Sequence, residues 1–155
     1  MLTTAQIIAK YGKPDDDGSD YLVTINLPYP MRIAWDTKTT VTKMRCHKLA
    51  APTFLNFFNT LLKEYGLVKI KELGIDLFGG CFMFRKMRGG TDYSRHCWGI
   101  AIDLDPARND LKTTWKSSQF AKPEYKKLIE IAYSCGLLNY GVEKGFDAMH
   151  FEMKA

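Results

Sequence analysis

The chain of 155 residues is long enough for one domain with a substantial core, and its 46% hydrophobic and 25% charged residues are ordinary for a globular protein. No run approaches the roughly 18 apolar residues of a membrane helix, and the N-terminus lacks the pattern of a signal peptide, which predicts synthesis in the cytoplasm. The net charge of +5 comes from scattered Lys and Arg, so we expect no nucleic-acid partner. We also expect a monomer without a membrane partner.

The N-terminal elements are a predicted helix and two predicted strands. Ile7, Ile8 and Tyr11 share one side of a helix over Thr4–Tyr11, and Gly12 ends it. Residues 21–27 and 31–36 read as strands around Pro28-Tyr-Pro30. They form either a hairpin arm or a cover over part of a cleft.

Two amphipathic helices are predicted further along the chain. In residues 53–66, aromatic and leucine side chains repeat at intervals of three and four, with Thr53 as the cap and Gly66 as the end. Residues 123–135 begin with proline and stop before Gly136. Between them lie a predicted strand over 81–87, a Gly89-Gly90 turn and a polar loop over 108–119. We therefore expect an α+β fold in a single domain, with helices packed on an antiparallel sheet.

The most informative motif is Ser94-Arg-His96-Cys-Trp-Gly99-Ile-Ala101-Ile-Asp103. From residue 98 to residue 104 large side chains alternate with small ones, which is typical of a strand with one buried face. Asp103 then lies on the opposite face beside two small residues, where a metal and a substrate would find space. His96 comes just before this strand, where a turn can bring its ring over the same place.

A second motif near the C-terminus, Asp147-Ala-Met-His150-Phe-Glu152, shows the same alternation of apolar and polar side chains. His150 and Glu152 share one face, and an antiparallel pairing of the two segments would bring His150 to Asp103. Two imidazoles and a carboxylate are a suitable ligand set for catalytic zinc, which takes three protein ligands and leaves a position for water. A further carboxylate, Asp147, suits a general base.

Each of these residues also has a simpler interpretation. A single histidine beside a strand is more often a satisfied core or surface residue than a ligand. Asp103 is costly to bury unless it is paired, so its alternative is a salt bridge to a Lys or Arg. Asp147 alone fits a turn after Gly145. Only the combination of these features favours a metal site.

The four cysteines contain no Cys-x-x-Cys spacing and are expected to be reduced core thiols: Cys46, Cys81, Cys97 and Cys135.

The paired motifs resemble those of the zinc D-alanyl-D-alanine carboxypeptidase and L-alanyl-D-glutamate endopeptidase family, which includes vancomycin-resistance enzymes and many phage endolysins. The resemblance covers residues 44–153 within one peptidase domain over 1–155, and it implies a hedgehog/DD-peptidase-like fold. It also implies that His96, Asp103 and His150 hold one zinc ion and that Asp147 is the catalytic base.

The resemblance further implies an arginine, upstream of the first motif, that stabilises the oxyanion. Arg85 is the best match and Arg88 the weaker one. Ser94 would hydrogen-bond a ligand or a substrate carboxylate, and Glu152 would support the metal ligands from behind.

The expected substrate is the peptidoglycan stem peptide. Family dipeptidases and carboxypeptidases often have Glu at the base position and Trp before the last histidine, where this chain has Asp147 and Met149. Aspartate is more typical of the phage-type endopeptidases that cut between L-Ala and D-Glu. We therefore expect an endolysin-like enzyme that acts at the bacterial wall, after holin-assisted release if a phage encodes it. The alternatives are a D-alanyl-D-alanine carboxypeptidase and a non-catalytic zinc-containing module like the hedgehog signalling domain.

Overall fold

A computed structural model describes residues 1–87, 90 and 92–155. Within these residues the chain forms four α-helices and six strands, joined by loops and short 3₁₀ turns. The helices are α1 (Thr4–Tyr11), α2 (Ala51–Leu73), α3 (Lys126–Cys135) and α4 (Tyr140–Lys144). The strands are β1 (Leu22–Ile33), β2 (Asp36–His47), β3 (Leu77–Gly80), β4 (Ala101–Leu104), β5 (Leu137–Asn139) and β6 (His150–Met153).

One sheet carries all six strands in the order β2-β1-β3-β4-β6-β5. Its pairs are antiparallel except for β1 and β3, which run parallel, so the sheet is mixed rather than wholly antiparallel. The prediction of an α+β fold is confirmed. In the centre of the sheet, β4 pairs with β6 in a register that places Asp103 opposite His150. This pairing brings the two sequence motifs together.

The N-terminal hairpin differs from its prediction because β1 continues through the prolines. Pro28 and Pro30 lie between Asn26 and Met31, where the register with β2 shifts. Proline cannot donate a hydrogen bond to a ladder, and an irregular stretch of a strand tolerates it. Of the expected strand over 31–36, residues 31–33 are the end of β1, residues 34–35 form a turn, and Asp36 begins β2. The sequence pattern did not indicate the rest of this long strand β2.

Helix α2 begins after Ala50 with Pro52 in its first turn, so Thr53 is not its cap. Gly66 was expected to end the helix, and the backbone does leave helical geometry there, with φ of 77°. Helical structure then resumes as far as Leu73. The expected helix over 123–135 is a 3₁₀ turn (Pro123–Tyr125) followed by α3, which ends at Gly136.

The strand predicted over 81–87 is wrong. Strand β3 precedes this segment, and within it Lys86 forms an isolated β-bridge with Tyr93. The strand predicted from residue 98 begins three residues later, because residues 95–98 form a 3₁₀ turn. The expected Gly89-Gly90 turn falls partly outside the described residues.

The core lies between the sheet and helices α2 and α3, and it is rich in aromatic side chains. Its largest fully buried members include Trp98, Tyr125, Phe54, Phe57, Phe58, Phe120 and Phe151. All four cysteines are free thiols; Cys46, Cys81 and Cys97 are buried, while Cys135 is partly exposed. Among the described residues, no helix has the length and apolar character needed to cross a membrane.

Candidate metal and peptidase site

Two histidines and one aspartate meet at the centre of the sheet. Each of His96, Asp103 and His150 offers one ligand atom, and these atoms lie within 4.8 Å of one another. Nε2 of His96 is 3.3 Å from Oδ2 of Asp103, and Nδ1 of His150 is 3.5 Å from Oδ1 of Asp103. All three side chains are buried. The structure therefore brings together the three residues that the sequence singled out as ligands.

His96 is positioned by the 3₁₀ turn Arg95–Trp98. The Ser94 hydroxyl caps this turn by accepting a hydrogen bond from the backbone N–H of His96. Nδ1 of His96 lies 2.7 Å from the carbonyl oxygen of Cys81. Because a carbonyl only accepts, Nδ1 carries a proton, and Nε2 is the nitrogen that faces Asp103.

Gly99 ends the same turn in the left-handed conformation, with φ of 68°. A Cβ atom at this position would lie 2.9 Å from the backbone nitrogen of His47 and 2.8 Å from a methyl group of Leu22. A side chain is therefore excluded both by the backbone conformation and by this close approach. The glycine of the first motif thus allows the chain to turn from His96 into β4.

His150 is held between two carboxylates and an aromatic ring. Its Nε2 lies 2.8 Å from Oε1 of Glu152, so that nitrogen donates and Nδ1 faces Asp103. Tyr140 stacks on the imidazole with ring centroids 3.9 Å apart. Glu152 thereby supports the ring from behind, as carboxylates commonly do for metal-bound histidines.

The charges of the site favour a cation. Burial alone would raise the pKa of Asp103, but the adjacent His96 and His150 lower it below its usual range. Burial opposes charge on His150, yet the neighbouring carboxylates of Asp103 and Glu152 raise its pKa to about 9. Among the described residues, Nε2 of His96 and Oδ1 of Asp103 have no hydrogen-bond partner. Buried nitrogen and oxygen atoms without hydrogen-bond partners, beside an ionised carboxylate, are suitable ligand atoms for a zinc ion.

Asp147 lies at the same cleft in an unusual backbone conformation. Its φ is 63°, which is uncommon outside glycine although aspartate tolerates it. The residue is only 8% exposed, and its Oδ1 has no hydrogen-bond partner among the described residues. Burial raises the pKa of Asp147, the charge on Asp103 adds to this increase, and the adjacent His150 opposes it. A strained, buried and unpartnered carboxylate is typical of a functional position.

Arg85 lines the cleft from the segment that follows β3. Its backbone N–H is 3.2 Å from Sγ of Cys97, and one guanidinium nitrogen donates to the Lys86 carbonyl. Its buried Nε has no hydrogen-bond partner among the described residues. Arg88, the weaker candidate for the same role, lies outside the described residues.

The cleft has a volume of about 340 Å³ and includes residues that the sequence did not indicate. Two further cations line it, Arg95 and Lys144, and Lys144 lies 3.8 Å above the Tyr140 ring. Arg95 donates to the carbonyl oxygens of Leu2 and Tyr93, which fixes its guanidinium. An apolar part of the lining is formed by Met87, Leu111, Phe146 and Met149. These residues have no common sequence pattern, so only the folded chain reveals them.

Residues 88–153 match the model of a family described as D-alanyl-D-alanine carboxypeptidase. The match confirms the family predicted from the sequence. It covers somewhat less than half of the chain and includes both motifs from Ser94 to Glu152, while Arg85 lies outside it. Comparison with curated proteins gave no match.

Similarity to this zinc peptidase family indicates a metallopeptidase, and the cluster of His96, Asp103 and His150 could bind the metal. The matched region also contains Asp147, whose buried carboxylate lines the same cleft. The matched region therefore contains the three candidate ligands and Asp147.

Proposed function

We propose that this protein is a zinc-dependent peptidase that hydrolyses an amide bond of the peptidoglycan stem peptide, with the L-Ala–D-Glu bond as the preferred target. The observation that carries the proposal is the buried, unpartnered carboxylate of Asp147 in the cleft of the three candidate ligands. Metal binding alone would not require such a carboxylate, whereas hydrolysis requires a base.

His96, Asp103 and His150 would hold one zinc ion through Nε2, a carboxylate oxygen and Nδ1. Bound zinc supplies Lewis-acid activation of a water molecule and of the scissile carbonyl. The hydrogen bonds from His96 to Cys81 and from His150 to Glu152 orient the rings, so that Nε2 of His96 and Nδ1 of His150 face Asp103.

Asp147 would move the proton in this reaction. Its carboxylate takes a proton from the attacking water as the new carbon–oxygen bond forms, and then gives it to the nitrogen as the carbon–nitrogen bond breaks. Burial and the neighbouring Asp103 both favour protonation of Asp147, because they raise its pKa. A base with a raised pKa accepts a proton from water more readily than an ordinary aspartate.

Arg85 would stabilise the negative charge that develops on the scissile carbonyl oxygen. Its place in the cleft lining supports this role. Loss of one such donor typically costs about 100- to 1000-fold in rate. Ser94 holds the His96 turn through its cap, so it would act through the ligand rather than on the substrate.

The cleft suits an anionic peptide with small apolar side chains. Arg85, Arg95 and Lys144 offer positive charge, and the apolar lining suits alanine methyl groups. The stem peptide combines D-Glu carboxylates with alanine. Aspartate at position 147 favours the endopeptidase, while the description of the matched family favours carboxypeptidase action on D-alanyl-D-alanine.

A non-catalytic zinc module is the alternative from another class. It would leave the strained backbone and buried carboxylate of Asp147 without a purpose.

Action on the wall requires contact with peptidoglycan outside the membrane, which for a phage-encoded protein means holin-assisted release.

The test is digestion of purified peptidoglycan by metal-free and zinc-reloaded protein, with mass spectrometry of the fragments. New L-Ala carboxyl and D-Glu amino termini that require zinc would support the endopeptidase. Release of free D-Ala would instead support the carboxypeptidase. No cleavage by folded, zinc-loaded protein would favour the binding module.

A further inference from the structure

A second groove of about 320 Å³ lies beside the hairpin of β1 and β2. Its lining combines Trp35, Phe78 and Phe82 with the cations Lys43 and Arg45, over a floor that includes Gly80. Gly80 leaves open space, because a Cβ atom there would meet nothing within 4 Å. No acidic side chain is among the described residues that line the groove.

Trp35 is the most unusual residue of this groove, because 73% of its surface is exposed. It lies on the two-residue turn between β1 and β2. The preceding Ala34 donates a backbone hydrogen bond to the carbonyl oxygen of Phe78, which attaches the turn to β3. A large indole is therefore presented to solvent from a fixed backbone, and such exposure commonly marks a binding surface.

The two cations lie on one face of β2, on either side of the buried Met44. Arg45 is oriented by the ring of Phe82, whose centroid is 5.4 Å from the guanidinium carbon, and by a hydrogen bond to the carbonyl oxygen of Asp17. The groove thus offers hydrogen-bond donors beside an aromatic platform. This combination suits a polymer of sugar rings that carry hydroxyl, acetamido and carboxylate oxygens.

The end of β3 and the residues that follow it connect the groove to the backbone of the candidate catalytic site. Residues 79–83 line the groove, and the same segment binds His96 through the Cys81 carbonyl oxygen and the Met83 backbone N–H. Gly80 also pairs with Asp103 across β3 and β4. A ligand in the groove would therefore lie next to the backbone that holds two candidate metal ligands.

We infer that this groove binds the glycan strand of peptidoglycan, with a sugar ring stacked on Trp35 and with Lys43 and Arg45 donating hydrogen bonds to its oxygens. The inference rests on the proposed function. In peptidoglycan, L-Ala joins the stem peptide directly to the sugar, so a cut after L-Ala leaves only one residue, about 3.5 Å of chain, between the scissile bond and the glycan. A glycan site close to the cleft is then a geometric requirement.

The first test measures the binding of glycan strands from which an amidase has removed the stem peptides. Tryptophan fluorescence and calorimetry report the binding. We expect Trp35→Ala and the double variant Lys43→Gln/Arg45→Gln each to weaken binding about tenfold or more. Lys38→Gln, on an exposed part of β2 outside the groove lining, is the matched control and should bind like wild type. Circular dichroism melting verifies that each variant is folded.

The second test compares hydrolysis of intact sacculi with hydrolysis of a soluble stem peptide. Groove variants should lose activity on sacculi by about tenfold and stay within about twofold of wild type on the free peptide. Equal losses on both substrates, or no loss in glycan binding, would overturn the inference. The inference would also be overturned if polyglutamate or free stem peptide displaced the bound glycan as effectively as unlabelled glycan does, because the groove would then recognise charge or peptide.

The two proposals fail in different ways. Glycan binding that depends on Trp35, in a protein that cleaves no stem peptide, would support the groove and contradict the proposed function. Cleavage of soluble peptide by a protein that does not bind glycan strands would support the proposed function and contradict the glycan groove.

Discussion

Glu152 Oε1 lies 2.8 Å from Nε2 of His150, and this contact determines which nitrogen of the ring faces Asp103. Because the two residues are separated by one position in β6, their side chains lie on the same face of the sheet. Glu152 is buried, which by itself would raise its pKa, but the hydrogen bond from His150 lowers it. The carboxylate therefore remains charged behind the candidate ligand.

The first prediction concerns that charge. Glu152→Gln keeps an oxygen that accepts from His150 but removes the negative charge, so zinc affinity should fall about 10- to 100-fold. Competition with a chromogenic chelator measures this affinity. Glu143→Gln, an exposed carboxylate on α4, is the control and should bind zinc like wild type. Equal affinities in all three proteins would show that Glu152 has no effect on the metal.

The second prediction concerns the base. Asp147→Asn should lower kcat about 100- to 10,000-fold, because the amide cannot accept the water proton. Asparagine also tolerates the left-handed backbone at this position, so the fold and bound zinc should be retained. Steady-state hydrolysis and zinc analysis of the same sample separate the two effects. The exposed Asp16→Asn is the control, and an unchanged kcat for the cleft variant would remove Asp147 from the mechanism.

The pairing of the two motifs was predictable, because the period of two in a strand fixes which side chains share a face. Asp103 and His150 are indeed opposite each other in β4 and β6. The start of β4 was not predictable in the same way. Residues 95–98 form a 3₁₀ turn, which Gly99 allows by its left-handed backbone, and this turn interrupts the apparent alternation.

The rest of the cleft depends on contacts between distant parts of the chain. Tyr140 and Lys144 belong to a helix of five residues that has no periodic pattern, and they reach the site because β5 pairs with β6. The long strand β2 was missed because polar and exposed residues dominate its first half, and an edge strand needs little apolar content. Local pattern thus predicted the candidate ligands, and tertiary packing decided their surroundings.

The third prediction concerns metal removal. Zinc that binds only the folded protein should raise its stability by about 2.7 kcal/mol at a concentration 100 times the dissociation constant. For a domain of this size, the corresponding increase in Tm is about 5 to 10 °C. Calorimetric melting of metal-free and reloaded protein measures it. His96→Ala should melt at the same temperature with and without zinc, and a full zinc-induced increase in that variant would contradict the proposed ligand set.

The fourth prediction concerns the third histidine, which lies outside the candidate site. Burial lowers the pKa of His47, whose Nδ1 accepts from the backbone N–H of Leu49 and whose Nε2 donates to the Tyr11 carbonyl oxygen. The neutral ring is therefore the native form. Its contribution to stability is present above the unfolded pKa of about 6.5 and is lost as pH falls through the lower folded value.

Wild type should accordingly lose stability more steeply than His47→Gln between pH 7 and pH 5. Glutamine offers both an acceptor and a donor but does not titrate in this range. Urea unfolding of both metal-free proteins at a series of pH values gives the two slopes, and their difference isolates His47 from the other titrating groups. Parallel slopes would show that His47 has the same pKa in the folded and unfolded chains.

The last prediction concerns Gly99, where the turn of His96 meets the hairpin. Gly99→Ala should destabilise the protein by about 1–2 kcal/mol for the left-handed backbone alone, and by more because the new Cβ would approach the backbone nitrogen of His47. Gly145→Ala is the matched control, since Gly145 is also left-handed but a Cβ there meets nothing within 4 Å. Denaturant unfolding should give the larger loss for Gly99→Ala, and zinc affinity should fall with it, because the displaced turn carries His96. Equal losses of unfolding free energy in the two variants would mean that the close approach of the new Cβ to β2 adds nothing to the cost of the left-handed backbone.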